Sequence, residues 1–175
     1  TILLMILLVS GCCMFPDQSK LGNNIPCIGL CMIPSSLDNH DSSKVKPFAA
    51  AGVILFGSEG DGISTETNQE GKWIAHNLKS PYYLLEAEKD GVIIKKVFPF
   101  QSLGENNLNV GEANVYTSCQ VMIYEIANQY YENALYLREI PDLVIPENLV
   151  KSVEKVYREN RNPFNDPLII SMVED

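Results

Sequence analysis

The central part of the chain alternates between short apolar segments and clusters of turn-forming residues. The apolar segments are AAAGVILF (49–56), ISTET (63–67), KWIA (72–75), YYLLEAE (82–88) and VIIKKVFPF (92–100). Between several of them lie GSEGDG, NQEG and KDG, whose Gly, Asn and Asp residues tolerate tight-turn backbone angles. This pattern predicts about five short strands in an antiparallel sandwich, with Trp73, Tyr83 and Leu85 facing inward.

The spacing of apolar residues becomes helical after the polar segment SLGENNLNVGE (102–112). Apolar residues then recur every three or four positions, at Val115, Cys119, Met122, Ile126, Tyr130 and Ala134. This spacing predicts one helix from Glu112 to about Arg138 that ends before Pro141. Cys119 lies on its apolar face and is predicted to be a small core residue.

A second helix is predicted to begin at Pro146 and to end at about Asn160. It follows IPDLVIP (140–146), which is predicted to run extended between its two prolines. Leu149, Val153 and Val156 share its inward face, and two pairs of opposite charge lie four residues apart on the outside, Glu147 with Lys151 and Glu154 with Arg158. The apolar tail LIISMV (168–173) is predicted to be buried, as a strand against the sandwich or the helices. The predicted fold class is α+β: a small antiparallel β-sandwich followed by a C-terminal helical extension.

The first predicted helix has a wider apolar arc than a surface helix needs. Tyr116, Tyr124 and Tyr131 widen this arc and are candidate interface residues, because tyrosine is favoured at the centres of interfaces. Two explanations are open: the second helix and the tail cover the arc, or a protein partner does.

The N-terminus is an apolar run, Ile2 to Val9, followed by Ser10, Gly11 and Cys12. The run has the length of a signal-peptide core and is too short to cross a bilayer, and small residues before a cysteine suit a signal peptidase. Val9-Ser10-Gly11-Cys12 resembles the lipobox of bacterial lipoproteins. The resemblance implies that residues 1–11 are removed and that Cys12 carries acyl chains such as palmitate, which attach the protein to a membrane. The missing Met and basic segment are interpreted as a clipped N-terminus; the alternative is a first strand of a soluble domain.

The segment 12–46 is predicted to be a polar tether interrupted by an apolar patch that contains Cys27 and Cys31. These two cysteines form either a disulfide or two buried thiols. A metal or redox pair is a weaker interpretation, because the spacing is C-x3-C and no second pair completes four ligands. Cys13 is not the Asp that retains some lipoproteins in the inner membrane, so an outer-membrane location is favoured over the inner membrane.

The charge of the chain excludes one class of partner. Its 175 residues include 13 Lys and Arg against 22 Asp and Glu, a net charge of −9 at pH 7. Nucleic acid is not expected as a partner, because phosphate binding needs a basic face. No polybasic surface segment is visible either, so the lipid on Cys12 would be the membrane attachment.

The segment 47–104 resembles the carboxypeptidase regulatory-like, or transthyretin-like (prealbumin-like), β-sandwich modules. The matching stretches are Ala51 to Leu55, Thr65 to Trp73, and Leu78 through Tyr83 to Leu85. The opening strand of such modules would have to come from SSKVKPF (42–48). The resemblance implies a structural or partner-binding role and supplies no catalytic residue. Starch-binding relatives use exposed aromatic pairs, but Tyr82 and Tyr83 are adjacent and must face opposite sides of a strand.

No catalytic constellation stands out in the sequence. The two histidines, His40 and His76, lie apart, and no nucleophile, phosphate-loop or zinc motif is present. Glu59 and Asp61 lack the register of a calcium loop and are interpreted as a solvated turn. We therefore expect neither an enzyme nor a metal or cofactor other than the lipid.

Two functions remain open for the segments 1–11, 12–46, 47–104 and 105–175 taken together. One is a lipid-anchored envelope protein with a structural or protein-interaction role, whose partner is another envelope protein. The other is a lipoprotein that binds carbohydrate or another small molecule in a cleft between the sandwich and the helices. A concave pocket with exposed aromatic rings would favour ligand binding, and an exposed apolar helix face would favour a protein partner.

Overall fold

The computed structural model describes residues 26–35, 44–100, 108–131 and 134–174. These residues form eight strands, followed by three α-helices and two short 3₁₀ helices. The strands are β1 (Cys27–Pro34), β2 (Val45–Pro47), β3 (Gly52–Gly57), β4 (Gly62–Glu66), β5 (Lys72–Ala75), β6 (Tyr82–Lys89), β7 (Val92–Pro99) and β8 (Leu108–Ala113). The helices are α1 (Val115–Tyr130), α2 (Glu147–Arg158) and α3 (Pro167–Glu174), with 3₁₀ helices at Leu137–Asp142 and Pro163–Asn165.

The strands form two four-stranded sheets that pack as a sandwich. In sheet I, β1 pairs antiparallel with β2 and β5 and parallel with β8. Sheet II is antiparallel throughout, in the order β4-β3-β6-β7. The predicted α+β class, a sandwich followed by C-terminal helices, is confirmed.

The five strands predicted from the central pattern correspond to β3 through β7. Sheet I, however, takes β1 from the predicted tether 12–46 and β8 from the predicted helical extension. The opening strand is therefore Cys27–Pro34, and SSKVKPF supplies only the three-residue β2. Strand β1 buries alternate side chains over most of its length, which is the period of a strand with one face in the core.

The core between the sheets is built on large aromatic side chains, as predicted for Trp73 and Tyr83. Trp73 is 1% exposed, and Tyr83 and Leu85 are fully buried. The Trp73 ring lies 6.0 Å from that of Phe98 and packs on Gly29, where a Cβ atom would come within 2.6 Å of the indole. Gly29 is therefore required for the close approach of β1 to Trp73.

Helix α1 is shorter than the predicted Glu112–Arg138 helix at both ends. Glu112 belongs to β8, and Asn114 caps the helix with its side chain, which accepts a hydrogen bond from Thr117 N at 3.2 Å. The helix ends at Tyr130 because Tyr131 is extended. The chain then turns so that Leu137–Asp142 packs on sheet II with Ile140 1% exposed. IPDLVIP is consequently 3₁₀-helical in its first part rather than extended throughout.

Helix α2 matches the prediction closely. Pro146 is its N-cap rather than its first residue, and Leu149, Val153 and Val156 are buried. Both predicted charge pairs form, although Arg158 is only 8% exposed and also donates a hydrogen bond to Ser35 O at 3.1 Å. The tail LIISMV is part of a helix, α3, and of its residues only Ile169 is buried, so the predicted buried strand is wrong.

The helices cover the β7 side of sheet II. Thr117 Oγ1 donates to Lys95 O at 2.9 Å, and Tyr157 Oη donates to Ile93 O at 2.7 Å, which satisfies the backbone of β7. Above the sheet, Val97 packs with Val121 and Ile140. No helix among residues 26–35, 44–100, 108–131 and 134–174 is long and apolar enough to cross a membrane.

Candidate functional site

The two cysteines of the predicted apolar patch are buried in the described structure. Cys27 and Cys31 are fully buried free thiols on one strand. Four residues of extended strand separate their Cα atoms by about 13 Å, whereas a disulfide spans about 4.4–6.8 Å. The disulfide between them is therefore wrong, and the alternative of two buried thiols is what the structure has. Burial raises the pKa of each to about 12, so neither is a ready nucleophile. Cys12 lies outside the described residues.

The three candidate interface tyrosines have different surroundings. Tyr116 uses its hydroxyl to hold the segment before α2: it donates to Leu143 O at 3.2 Å and accepts from Ile145 N at 3.3 Å. Tyr124 is half-buried beside sheet II. Tyr131 is 73% exposed at the end of α1. An interface through these three residues stays a prediction.

A concave surface of the kind that the sequence hypotheses anticipated lies between sheet II, α1 and the segment after α1. This tyrosine cleft has a volume of about 550 Å³. Its lining combines aromatic rings with amide, hydroxyl and guanidinium groups: Ser58, Tyr82, Tyr124, Asn128, Leu135, Tyr136, Leu137 and Arg138. Sheet II, α1 and the segment after α1 each contribute one tyrosine.

Strand alternation places Tyr82 in the tyrosine cleft. Tyr83 fills the core, so its neighbour Tyr82 must point to the outer face of sheet II. Ser58 N donates to Tyr82 O at 3.0 Å, which brings the turn after β3 to the same edge of the cleft. No hydrogen bond joins the hydroxyl of Tyr82 or Tyr124 to another residue in the part of the chain that the structure describes, so both can serve a ligand.

The far wall of the cleft is held in place by two side chains. Asn128 bonds the backbone of Leu135 in both directions, donating to its O at 3.1 Å and accepting from its N at 3.3 Å. Glu139 accepts from Tyr136 N at 2.8 Å. The guanidinium of Arg138 lies 5.1 Å from the centre of the Tyr136 ring, within the range of a cation–π contact.

The Asp61 carboxylate is held by hydrogen bonds within its own part of the fold. It accepts hydrogen bonds from the hydroxyls of Ser80 and Tyr83 and so ties the GSEGDG turn to the start of β6. Burial raises the pKa of Asp61, but these hydrogen bonds outweigh it and hold the pKa below its ordinary value. Among the described residues no group of three His, Cys, Asp or Glu side chains is placed to hold a metal ion.

Sequence reasoning found only part of the cleft. It placed Tyr82 and Tyr83 on opposite faces, which the structure confirms, and it singled out Tyr124. It missed Tyr136 and Arg138, because the predicted helix continued through both. The Asn and Tyr residues of NQYYEN (128–133), which are weaker helix formers than its Gln and Glu, were the available signal that α1 ends early.

Comparison with known proteins gives distant structural likeness alone. No family model matches the chain, and no curated protein matches it. One similar structure is a proposed carbohydrate-binding protein from Pseudomonas aeruginosa, with 10% sequence identity and a TM-score of 0.38. The match covers 54% of this chain and 90% of the Pseudomonas chain. A DUF3823 family protein from Parabacteroides merdae is similar over 53% of this chain, at 14% identity and a TM-score of 0.32, and this chain spans 45% of its length. Likenesses of this size do not carry a ligand or an activity over to this chain.

Proposed function

We propose that this chain is a lipid-anchored cell-envelope protein that binds carbohydrate in the tyrosine cleft. The observation that supports it is the cleft itself, in which three tyrosines from separate elements surround about 550 Å³. That volume falls within the roughly 300–1,000 Å³ typical of small-molecule sites. Of the two functions left open by the sequence, a concave aromatic pocket favours ligand binding.

The chemistry of the lining suits a sugar. A pyranose has faces of C–H groups, which carry a partial positive charge that complements the negative face of an aromatic ring. Its edge carries hydroxyls, which can bond the free hydroxyls of Tyr82 and Tyr124 and that of Ser58. A purely apolar ligand would leave these polar groups without partners, which costs binding free energy.

The wall of the cleft is ordered before a ligand arrives. Asn128 and Glu139 fix the backbone of Leu135 and Tyr136, and Arg138 covers one side of the Tyr136 ring. Side chains that are already held lose less conformational entropy on binding, so more of the contact energy appears as affinity.

The envelope location rests on the lipobox-like Val9-Ser10-Gly11-Cys12. Acylation by two or more chains would hold the protein on the membrane, preferably the outer membrane. The carboxypeptidase regulatory-like module would then serve as the scaffold that presents the cleft, in a binding rather than a catalytic role. Mass spectrometry of the native protein should show a chain that begins at an acylated Cys12. A mature chain that keeps residues 1–11 without lipid would refute this part of the proposal.

Carbohydrate binding is tested by screening the full chain against immobilised glycans. We expect one glycan class to be retained, and Tyr124→Ala to weaken its binding at least about tenfold, as for an aromatic residue at the centre of a site. Tyr130→Ala is the matched control, because it removes a 60% exposed tyrosine from the same helix outside the cleft. Tyr82→Ala provides a second test on the opposite wall if Tyr124→Ala unfolds the helices. Retention of no glycan, or equal binding by the cleft variants and the wild type, would contradict the proposal.

A protein-interaction role is the second candidate. It is favoured by exposed side chains on the helical part of the chain, of which Tyr131 is 73% and Leu168 77% exposed. Tyr131→Ser should then abolish co-purification of a partner from detergent-solubilised envelopes without changing thermal stability. If the partner is retained by Tyr131→Ser, this surface is not its binding site.

A further inference from the structure

The tyrosine cleft has an unusual charge for this protein. The chain has 22 acidic and 13 basic residues. Among the described residues no acidic side chain lines the cleft, and the one charged residue of this lining is the cationic Arg138. The charge of this lining is therefore opposite in sign to the net charge of the chain.

Arg138 differs from the other arginines in the described part of the chain. Arg158 pairs with Glu154 at 2.5 Å, and Arg161 pairs with Glu159 at 2.5 Å and with Asp166. Arg138 forms no ion pair with any described residue, and its guanidinium lies over the Tyr136 ring. The nearest acidic residue in sequence, Glu139, uses its carboxylate to accept from Tyr136 N. No acidic group of the described residues therefore occupies the guanidinium, and its hydrogen-bond donors can serve a ligand.

We infer that the carbohydrate is acidic and carries a carboxylate that Arg138 binds. This inference rests on the proposed function. A guanidinium matches a carboxylate through two parallel hydrogen bonds, which lysine cannot reproduce. A sugar ring placed against Tyr124 and Tyr136 would present its carboxylate at the rim where Arg138 lies. The net charge of −9 repels anions at long range, so the ligand needs this local cation.

Matched probes test the inference: oligosaccharides of galacturonate, glucuronate and mannuronate, each with its fully methyl-esterified form. The ester keeps the sugar ring and removes the charge. Calorimetric titration of the full chain should show at least about tenfold tighter binding of one acid form than of its ester, and added salt should reduce the difference. Arg138→Gln should remove this preference, and Arg138→Lys should restore it only in part.

The control is Lys151→Gln, which removes one positive charge from an exposed position on α2. It should leave the preference for the acid form unchanged. Equal binding of acid and ester, or a preference that survives Arg138→Gln, would overturn the inference while leaving carbohydrate binding intact. Retention of neutral glycans alone in the screen would overturn it as well. If the full wild-type chain binds none of the glycans in the screen, both the proposed function and this inference are overturned.

Discussion

The two faces of sheet II are built from the same strands and meet different surroundings. The inner face contributes Val53, Leu55, Tyr83 and Leu85, each 1% exposed or less, to the space between the sheets. On the outer face, Val97 is covered by Val121 and Ile140, whereas Ile54 and Phe56 remain 40% and 46% exposed. The tyrosine cleft lies where this cover ends.

The two faces of the sheet therefore have different roles: the inner face stabilises the fold, and the outer face can bind. Every second side chain of each strand points into the closed core, where apolar burial contributes roughly 25 cal/mol per Å². The side chains on the other face are left to the helices, which among the described elements cover the β6 and β7 side of the sheet. A partly covered aromatic face provides a concave site without opening the core, and substitutions on the two faces should therefore differ in cost.

The largest expected effect is that of Trp73→Ala, in the closed core. Removal of this ring should lower the free energy of unfolding by roughly 3–5 kcal/mol, the usual loss for a large buried aromatic. Trp73→Phe should cost less, because the indole N–H has no acceptor among the described residues and phenylalanine removes that group. Urea denaturation measures both. A loss below about 1 kcal/mol for Trp73→Ala would place the ring outside the core.

A smaller loss is expected for Ile140→Ala, in the cover of the outer face. Ile140 is 1% exposed, but among the described residues its buried partners are Val97 and Val121, and the other apolar side chains packed on this cluster are only partly buried. We expect about 2–3 kcal/mol, at the lower end of the range for a deleted isoleucine side chain. The same substitution should weaken glycan binding, because the 3₁₀ helix carries Leu137 and Arg138 of the cleft. A loss equal to that of Trp73→Ala would show that the cover is as tightly packed as the core.

The closed core was largely predictable from the sequence, because local alternation and turn residues determine it. The segments 49–56 to 92–100 gave β3 through β7, and Trp73, Tyr83 and Leu85 were correctly placed inside. Strands β1 and β8 were missed. They form a parallel pair although about 80 residues separate them in sequence, and the residues that flank each strand are mostly polar. Neither segment has a local signal that identifies its partner.

The cleft was less predictable, because it depends on where α1 ends. The apolar spacing from Val115 to Ala134 continues past Tyr130 and does not reveal the end. The end of α1 is set by the burial of Ile140 on sheet II. That contact joins segments that are distant in sequence, so local spacing does not reveal it. Tyr82 and Tyr124 could thus be named from the sequence, whereas their meeting with Tyr136 and Arg138 could not.

The turn at the end of sheet II should make stability depend on acid pH. The pKa of Asp61 is held below its ordinary value in the folded chain, so its contribution is present above the unfolded pKa of about 3.9 and is lost as pH falls through the folded pKa. Thermal unfolding from about pH 5 to pH 2 should therefore show a fall in Tm that is smaller in Asp61→Asn. Identical pH profiles would mean that the hydrogen bonds from Ser80 and Tyr83 do not persist in solution.

The smallest change in the free energy of unfolding is expected for a substitution at Phe56. Its neighbour Leu55 should show a large change. Leu55→Ala should cost roughly 2–5 kcal/mol, as a fully buried leucine. Phe56 faces outward next to Leu84 on β6, so Phe56→Ser should change the free energy of unfolding by less than about 1 kcal/mol. Denaturation of both variants at low and high protein concentration measures the contrast. If Phe56→Ser is as costly as Leu55→Ala, and more so at high concentration, a second copy covers the exposed half of sheet II and the two faces are both closed in solution.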